Sequence, residues 1–224
     1  MVTNTPLRID GILAALLALL WAAPVGILAG GGGGLPTPGS FNDPARAITA
    51  IGASPDLTIV SALILSTGVV LVFLVVALDE RLGGRAHKAQ RLSFVFGVVC
   101  ASFLMLDGAL GVTALTQIAH LDAHQASVDA AYLTTLGLRN AIDRVIPLTL
   151  GLWALAVHWP AWRRRDLPRP LVVLGLLLGA TGVAGSALPV AGTASVPLAA
   201  LWAAAYAIVA LRRHGENVPA GQPS

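Results

Sequence analysis

Residues 57–78 run without a single charged side chain. A stretch of that length and polarity has two homes, the buried centre of a large protein or the hydrocarbon of a bilayer, which needs about 20 apolar residues per helix. The chain has 224 residues and cannot build a large core around such a helix. Charged residues make up 11% of it and hydrophobic ones 56%, against about 25% charged in soluble domains. That polar surface is too small to coat a water-facing exterior. The composition therefore excludes a soluble enzyme, a disordered tail and a nucleic-acid binder, despite a net charge of +3.

Six segments satisfy the length requirement, predicting an all-α, polytopic integral membrane bundle of six transmembrane helices. They cover about 12–29, 57–78, 92–118, 136–159, 171–188 and 196–211. Together they form one domain, 1–213, followed by a disordered cytoplasmic tail, 214–224. Pro24 is a kink site in the first span. Ser54, Pro55 and Asp56 form a capped start for the second, because a serine caps, proline suits the first helical position, and an acid faces the positive helix end.

Orientation follows from the basic residues. Arg8, Arg81, Arg85, Lys88, Arg91, Arg163, Arg164, Arg165, Arg169, Arg212 and Arg213 share one side, and Arg46 stands alone in the opposite connections. The positive-inside rule then puts both termini in the cytoplasm, as expected of a multi-pass protein of the bacterial inner (plasma) membrane. Trp159 and Trp162 beside Arg163–Arg165 suit an aromatic anchor at the inner interface. The alternative, a cleaved signal peptide ending near Ala29, is disfavoured by Asp10 and by a long apolar stretch.

The outer connection, 30–56, is the longest. Five glycines, 30–34, read as a flexible linker, Pro36 and Pro38 keep the next stretch extended, and Asn42-Asp43-Pro44 starts a short helix near 44–51. Ile48 and Ile51 share its face, which is expected to rest on the outer membrane interface.

Two elements carry a family resemblance. One is Asn42-Asp43-Pro44-Ala45 leading through Ser54-Pro55 into the second span. The other is Trp162 and the Leu167-Pro168-Arg169 turn before a Gly-rich fifth span, Leu174-Gly175 onward. Over about residues 7–213 the chain resembles a broad bacterial family of small six-helix integral membrane proteins of unknown function. Pro170 departs from the pattern, where a bulky apolar residue is more usual. The resemblance implies a six-helix membrane domain and carries over no catalytic residue.

The residues that constrain function are charges inside spans, which cost free energy and normally face a partner or a water-filled cavity. Asp107 lies in the third span; Arg139, Asn140, Asp143 and Arg144 lie in the fourth. Counting 1.5 Å per residue puts Asp107 and Arg144 at similar depth on antiparallel neighbours, so a salt bridge between them is expected. Arg139 and Asp143, four apart, can pair along one helix face, with Asn140 and Arg144 on the next. Thr113, Thr116 and Gln117 outward of Asp107, and the carbonyl freed by Pro147, complete an expected polar pocket in the outer half. The charges balance and need no ligand, so they read first as structural glue; the competing reading is that they line a ligand, ion or proton site.

His120 and His124 sit four apart, a spacing that can chelate a metal, but no firm third ligand accompanies them: Asp122 points elsewhere on a helix, Asp129 could come round, and a solvated loop is the plainer reading. No metal or other cofactor is therefore expected. Gly175, Gly179 and Gly182 form a small-residue stripe for close internal packing. Cys100 reads as core, and His158 as an interfacial anchor. Retinal chemistry needs a lysine within a span, and Lys88 is the only lysine. One haem cannot join His120 and His158 at opposite ends, and a lone cysteine makes no disulfide. The expected role is a non-enzymatic structural or accessory membrane protein holding a buried Asp/Arg cluster; the alternative is a small permease or ligand-binding protein that uses the cluster as its polar site. The bilayer is the expected partner, with a homo-oligomer or partner membrane protein left open.

Overall fold

The computed structural model describes residues 5–30, 43–53, 55–81, 88–121 and 126–216, and every regular element among them is helical. In chain order these are α1 (Thr5–Gly30), α2 (Pro44–Ala53), α3 (Pro55–Arg81), α4 (Lys88–Leu110), a π-helical turn (Gly111–Leu115), α5 (Thr116–Ala119), α6 (Ala126–Arg164), α7 (Arg169–Gly185) and α8 (Pro189–Glu216). Among the described residues four helices are long and apolar enough to cross a bilayer, as in a membrane protein: Asp56–Arg81, Arg91–Ala114, Ser127–Arg164 and Ala191–Arg212. Two shorter apolar stretches, Ile9–Pro24 and Arg169–Gly185, lie in α1 and α7. The linker residues 31–34, Pro36, Pro38, Asn42, the Ser54 cap, Asp122, His124 and tail residues 217–224 lie outside the described residues. Helix α8 carries on to Glu216, past the expected start of the tail.

The six apolar helices close a ring. Each of α1, α3, α4, α6, α7 and α8 packs on the next in sequence, and α8 packs back on α1. Such helices are apolar nearly all round, so one side of each finds the core while the other leaves residues such as Phe73, Leu19 and Leu201 exposed. That exterior is what a lipid-facing surface requires. Inside, Leu71, Leu74, Leu78, Cys100, Trp153, Leu178 and Trp202 form one continuous core.

Glycine sets the spacing of two pairs. A Cβ at Gly182 would stand 2.5 Å from the Pro147 carbonyl oxygen and 2.8 Å from Gly151 Cα, so α6 and α7 meet backbone to backbone. On the other side of the ring, a Cβ at Gly108 would collide with the Leu65 backbone of α3. The glycine stripe of α7 is thus spent on internal packing.

Helix α6 begins well before the expected span. Its 39 residues extend about 58 Å at 1.5 Å per residue, against about 30 Å of hydrocarbon. The extension builds a second small core, in which Ala47, Ile48 and Ile51 of α2 pack with Ile118, Val128 and Tyr132. This corrects the expectation for α2: Ile48 is 1% exposed, and the apolar face rests on protein, not on a membrane interface. A ten-residue helix offers one narrow apolar stripe, and here that stripe is fully covered.

The opposite end, which carries Arg81, Arg163–Arg165 and Arg212, is tied across four helices by two sets of hydrogen bonds joined through stacked rings. Arg81 Nη1 donates to the Tyr206 hydroxyl at 2.6 Å, and that hydroxyl donates to Asp10 Oδ2 at 3.4 Å. Arg81 also lies 3.9 Å from Asp10 Oδ2. Tyr206 stacks on Trp202, whose ring meets Trp153 edge-on. Trp202 Nε1 donates to His158 Nε2 at 2.8 Å, and His158 Nδ1 lies 2.7 Å from the Ala154 carbonyl oxygen. An indole only donates and a carbonyl only accepts, so His158 is neutral with its proton on Nδ1. This replaces the interfacial anchor expected of His158: the ring is fully buried, and Gly175 leaves it room, because a Cβ there would overlap the imidazole.

Candidate functional site

Asp107 projects from the last full α-helical turns of α4, just before the backbone widens into the π turn Gly111–Leu115. Such turns shift side-chain register and recur at functional positions. Here Gly111 lets α3 and a guanidinium crowd in: a Cβ would overlap the Ser61 side chain and come 3.4 Å from Arg139 Nη1. Arg139 meets Asp107 in a two-pronged bond, Nε to Oδ1 at 2.7 Å and Nη2 to Oδ2 at 3.0 Å. Asp107 is 2% exposed, and paired hydrogen bonds of this geometry are among the strongest that side chains make.

The partner of Asp107 is therefore Arg139, not Arg144 as the depth count suggested. Depth was one coordinate and angle the other. Five residues along an α-helix turn through about 140°, so when Arg139 faces α4, Arg144 faces elsewhere. The long arginine stem also lets Arg139 reach inward from one turn farther out.

Arg144 faces a cavity of about 670 Å³. Asp107, Asn140, Asp143 and Arg144 line it together with Pro147. Trp21 of α1 and Ile64 of α3 wall one side; Ser186, Thr193 and Ser195, from the α7–α8 junction, add hydroxyl groups on the other. Every helix of the ring contributes. Asn140, Asp143 and Arg144 are all exposed on this surface. Asp143 stays within electrostatic reach of both Asp107 and Arg139, but the intrahelical Arg139–Asp143 bond does not form, because Arg139 is committed to Asp107. Among the described residues neither Asp143 nor Arg144 has an ion-pair partner.

The remaining expectations divide. Thr113 bonds back to the Ala109 carbonyl at 2.6 Å, and neither it nor Gln117 lines the cavity. The polar groups that replace them, Ser186, Thr193 and Ser195, come from a junction whose local sequence reads as an ordinary loop. Thr193 and Ser195 sit in the first turns of α8, and Ser195 bonds back to Gly192 at 2.6 Å. His120 is exposed in the turn after α5, and its companion His124 lies outside the described residues. Among the described residues no group of three His, Cys, Asp or Glu side chains gathers to hold a metal.

The cavity is lined by two acids, Asp107 and Asp143, and one base, Arg144, while Arg139 neutralises Asp107 from outside the lining. One acid and one base remain available, so the site as a whole is neutral while offering a cation and an anion to whatever enters. No family model, curated protein or solved structure matches the chain, and its chemistry is read from this geometry alone.

Proposed function

We propose that the protein is a six-span membrane protein of the bacterial inner membrane, with both termini cytoplasmic, that holds a small zwitterionic molecule in an outward-facing cavity. The observation that carries this reading is that Asp143 and Arg144 line a cavity of about 670 Å³ with no ion-pair partner among the described residues. Unpaired charges at membrane depth demand water or a ligand, and the volume falls within the range of small-molecule pockets. Arg144 would take a carboxylate or phosphate oxygen, Asp143 an ammonium, and the hydroxyls of Ser186 and Thr193 would orient the body between them. Basic residues concentrated at the opposite end support the assignment of that end to the cytoplasm.

A direct test uses the buried Cys100, the chain's only cysteine, as a silent background. Asn140→Cys should react with a membrane-impermeant thiol reagent applied to intact cells. Reaction only in inverted vesicles would reverse the orientation, and no reaction from either side would sink the water-connected cavity.

A second reading is supported by the bidentate Asp107–Arg139 bond, a saturated pair that needs no ligand. On that reading the protein is a structural or accessory component and the cavity is incidental. Wild-type protein that gains no thermal stability from any amino acid, carboxylic acid or amine would favour it.

A further inference from the structure

At the other end of the bundle, the turn from α6 into α7 encloses a second pocket, of about 330 Å³, lined by Arg163, Arg165 and Arg169 with Trp162 and Leu167. It has three cationic side chains and no acidic one. The nearest acid in sequence, Asp166, lines a neighbouring groove with Arg164. Among the described residues none of the three arginines has an ion-pair partner.

Each arginine is held by a different device. The Arg163 guanidinium lies 5.3 Å from the centroid of the Trp159 ring, a cation–π contact that fixes its direction. Arg165 closes α6 in the left-handed conformation, φ 61°, with its N–H bonded to the Ala161 carbonyl at 2.9 Å. Glycine adopts that conformation freely and an arginine only at a cost, yet here it carries a cationic side chain into the pocket. Arg169 opens α7, whose N-terminus has Pro168 as cap and no side-chain cap bond.

We propose that this pocket binds the phosphate group of an anionic lipid headgroup. Phosphate is the chemistry that a pocket lined by three arginines and no acid recognises. A lipid is its source because Trp159 and Trp162, 56% and 49% exposed, set the turn at the level of a headgroup layer. Basic pockets between helices at this level are the known form of headgroup sites.

The test uses the full chain purified in a neutral maltoside detergent. Short-chain phosphatidylglycerol is titrated and bound lipid is counted by native mass spectrometry, with phosphatidylcholine and inorganic phosphate as comparators. Each arginine near the membrane surface is worth about fivefold in affinity. Replacing all three with glutamine (R163Q, R165Q, R169Q) should therefore weaken phosphatidylglycerol binding about 100-fold. Arg165→Gly separates binding from folding, because glycine suits φ 61° and the variant should fold at least as well while binding about fivefold more weakly. Phosphatidylcholine binding as tightly as phosphatidylglycerol would overturn the proposal, as would full binding by the triple variant. Competition by millimolar inorganic phosphate would overturn the lipid source and assign the pocket to a soluble phosphate.

Discussion

Each end of this helical ring buries an aspartate against an arginine from another helix, yet the two ends are built to different purposes. At the basic end, Asp10 and Arg81 share the Tyr206 hydroxyl, and the polar chain passes through stacked rings to His158, where both ring nitrogens have partners. At the cavity end, the Asp107–Arg139 bond is shorter and bidentate, but beside it stand Asp143 and Arg144 facing open space. A buried ion pair therefore says little about function by itself. The difference lies in whether the charges around it are also paired, since a charge without a partner at this depth must face water or a ligand.

The sharpest way to break the comparison is to cut the stronger pair. Asp107→Asn or Arg139→Gln leaves one buried charge unpaired and should cost about 3–5 kcal/mol, measured by unfolding in mixed detergent. The double variant should recover most of that loss; two additive losses would mean the pair is not the unit it looks. Next comes Gly182→Ala, which drives a Cβ into the Pro147 carbonyl oxygen and the Gly151 backbone. Backbone on both sides cannot turn aside, so about 1–3 kcal/mol is expected. At the basic end, Trp202→Phe keeps the ring stack but removes the N–H that His158 Nε2 accepts. A loss of about 1–2 kcal/mol should follow, and an unchanged midpoint would show that this hydrogen bond contributes nothing beyond packing.

Apolar length and the distribution of arginine made the helices legible in the sequence, because bilayer thickness imposes its own ruler. Asp107 and its neighbours on the fourth segment stood out as charges where none should be. What the sequence could not supply was angle. Depth alone favoured Arg144, and it took the rotation of α6 about its axis and the reach of the arginine stem to bring Arg139 to Asp107 instead. The basic-end network was hidden differently. Asp10 sits close to a helix start, His158 close to a helix end, and Trp202 and Tyr206 look like ordinary interfacial aromatics. Their four-residue spacing on one face of α8 was a usable signal, but only Gly175, which admits the His158 ring, reveals that this ring is enclosed within the bundle. Similarly, Ile48 and Ile51 announce an amphipathic face without saying whether lipid or protein covers it; the answer lay in the extra length of α6, which has no strong sequence marker.

The smallest stability effect is the most informative about function. Asp143→Asn and Arg144→Gln remove charges that make no ion pair among the described residues. Each should therefore change unfolding stability by no more than about 0.5 kcal/mol, with a gain at Arg144 expected if the site opposes stability for the sake of binding. Destabilisation on the scale of Asp107→Asn would instead make all four charges one structural network. The two outcomes separate because a ligand must discriminate where the fold does not. Arg144→Gln should abolish the thermal stabilisation given by a carboxylate-bearing zwitterion while leaving the ligand-free midpoint in place. Asp143→Asn should abolish it for amine-bearing compounds and spare simple carboxylates. Loss of both responses in both variants would mean that the charges act together on one ligand, held across the cavity between the α6 wall and the hydroxyls of the α7–α8 junction.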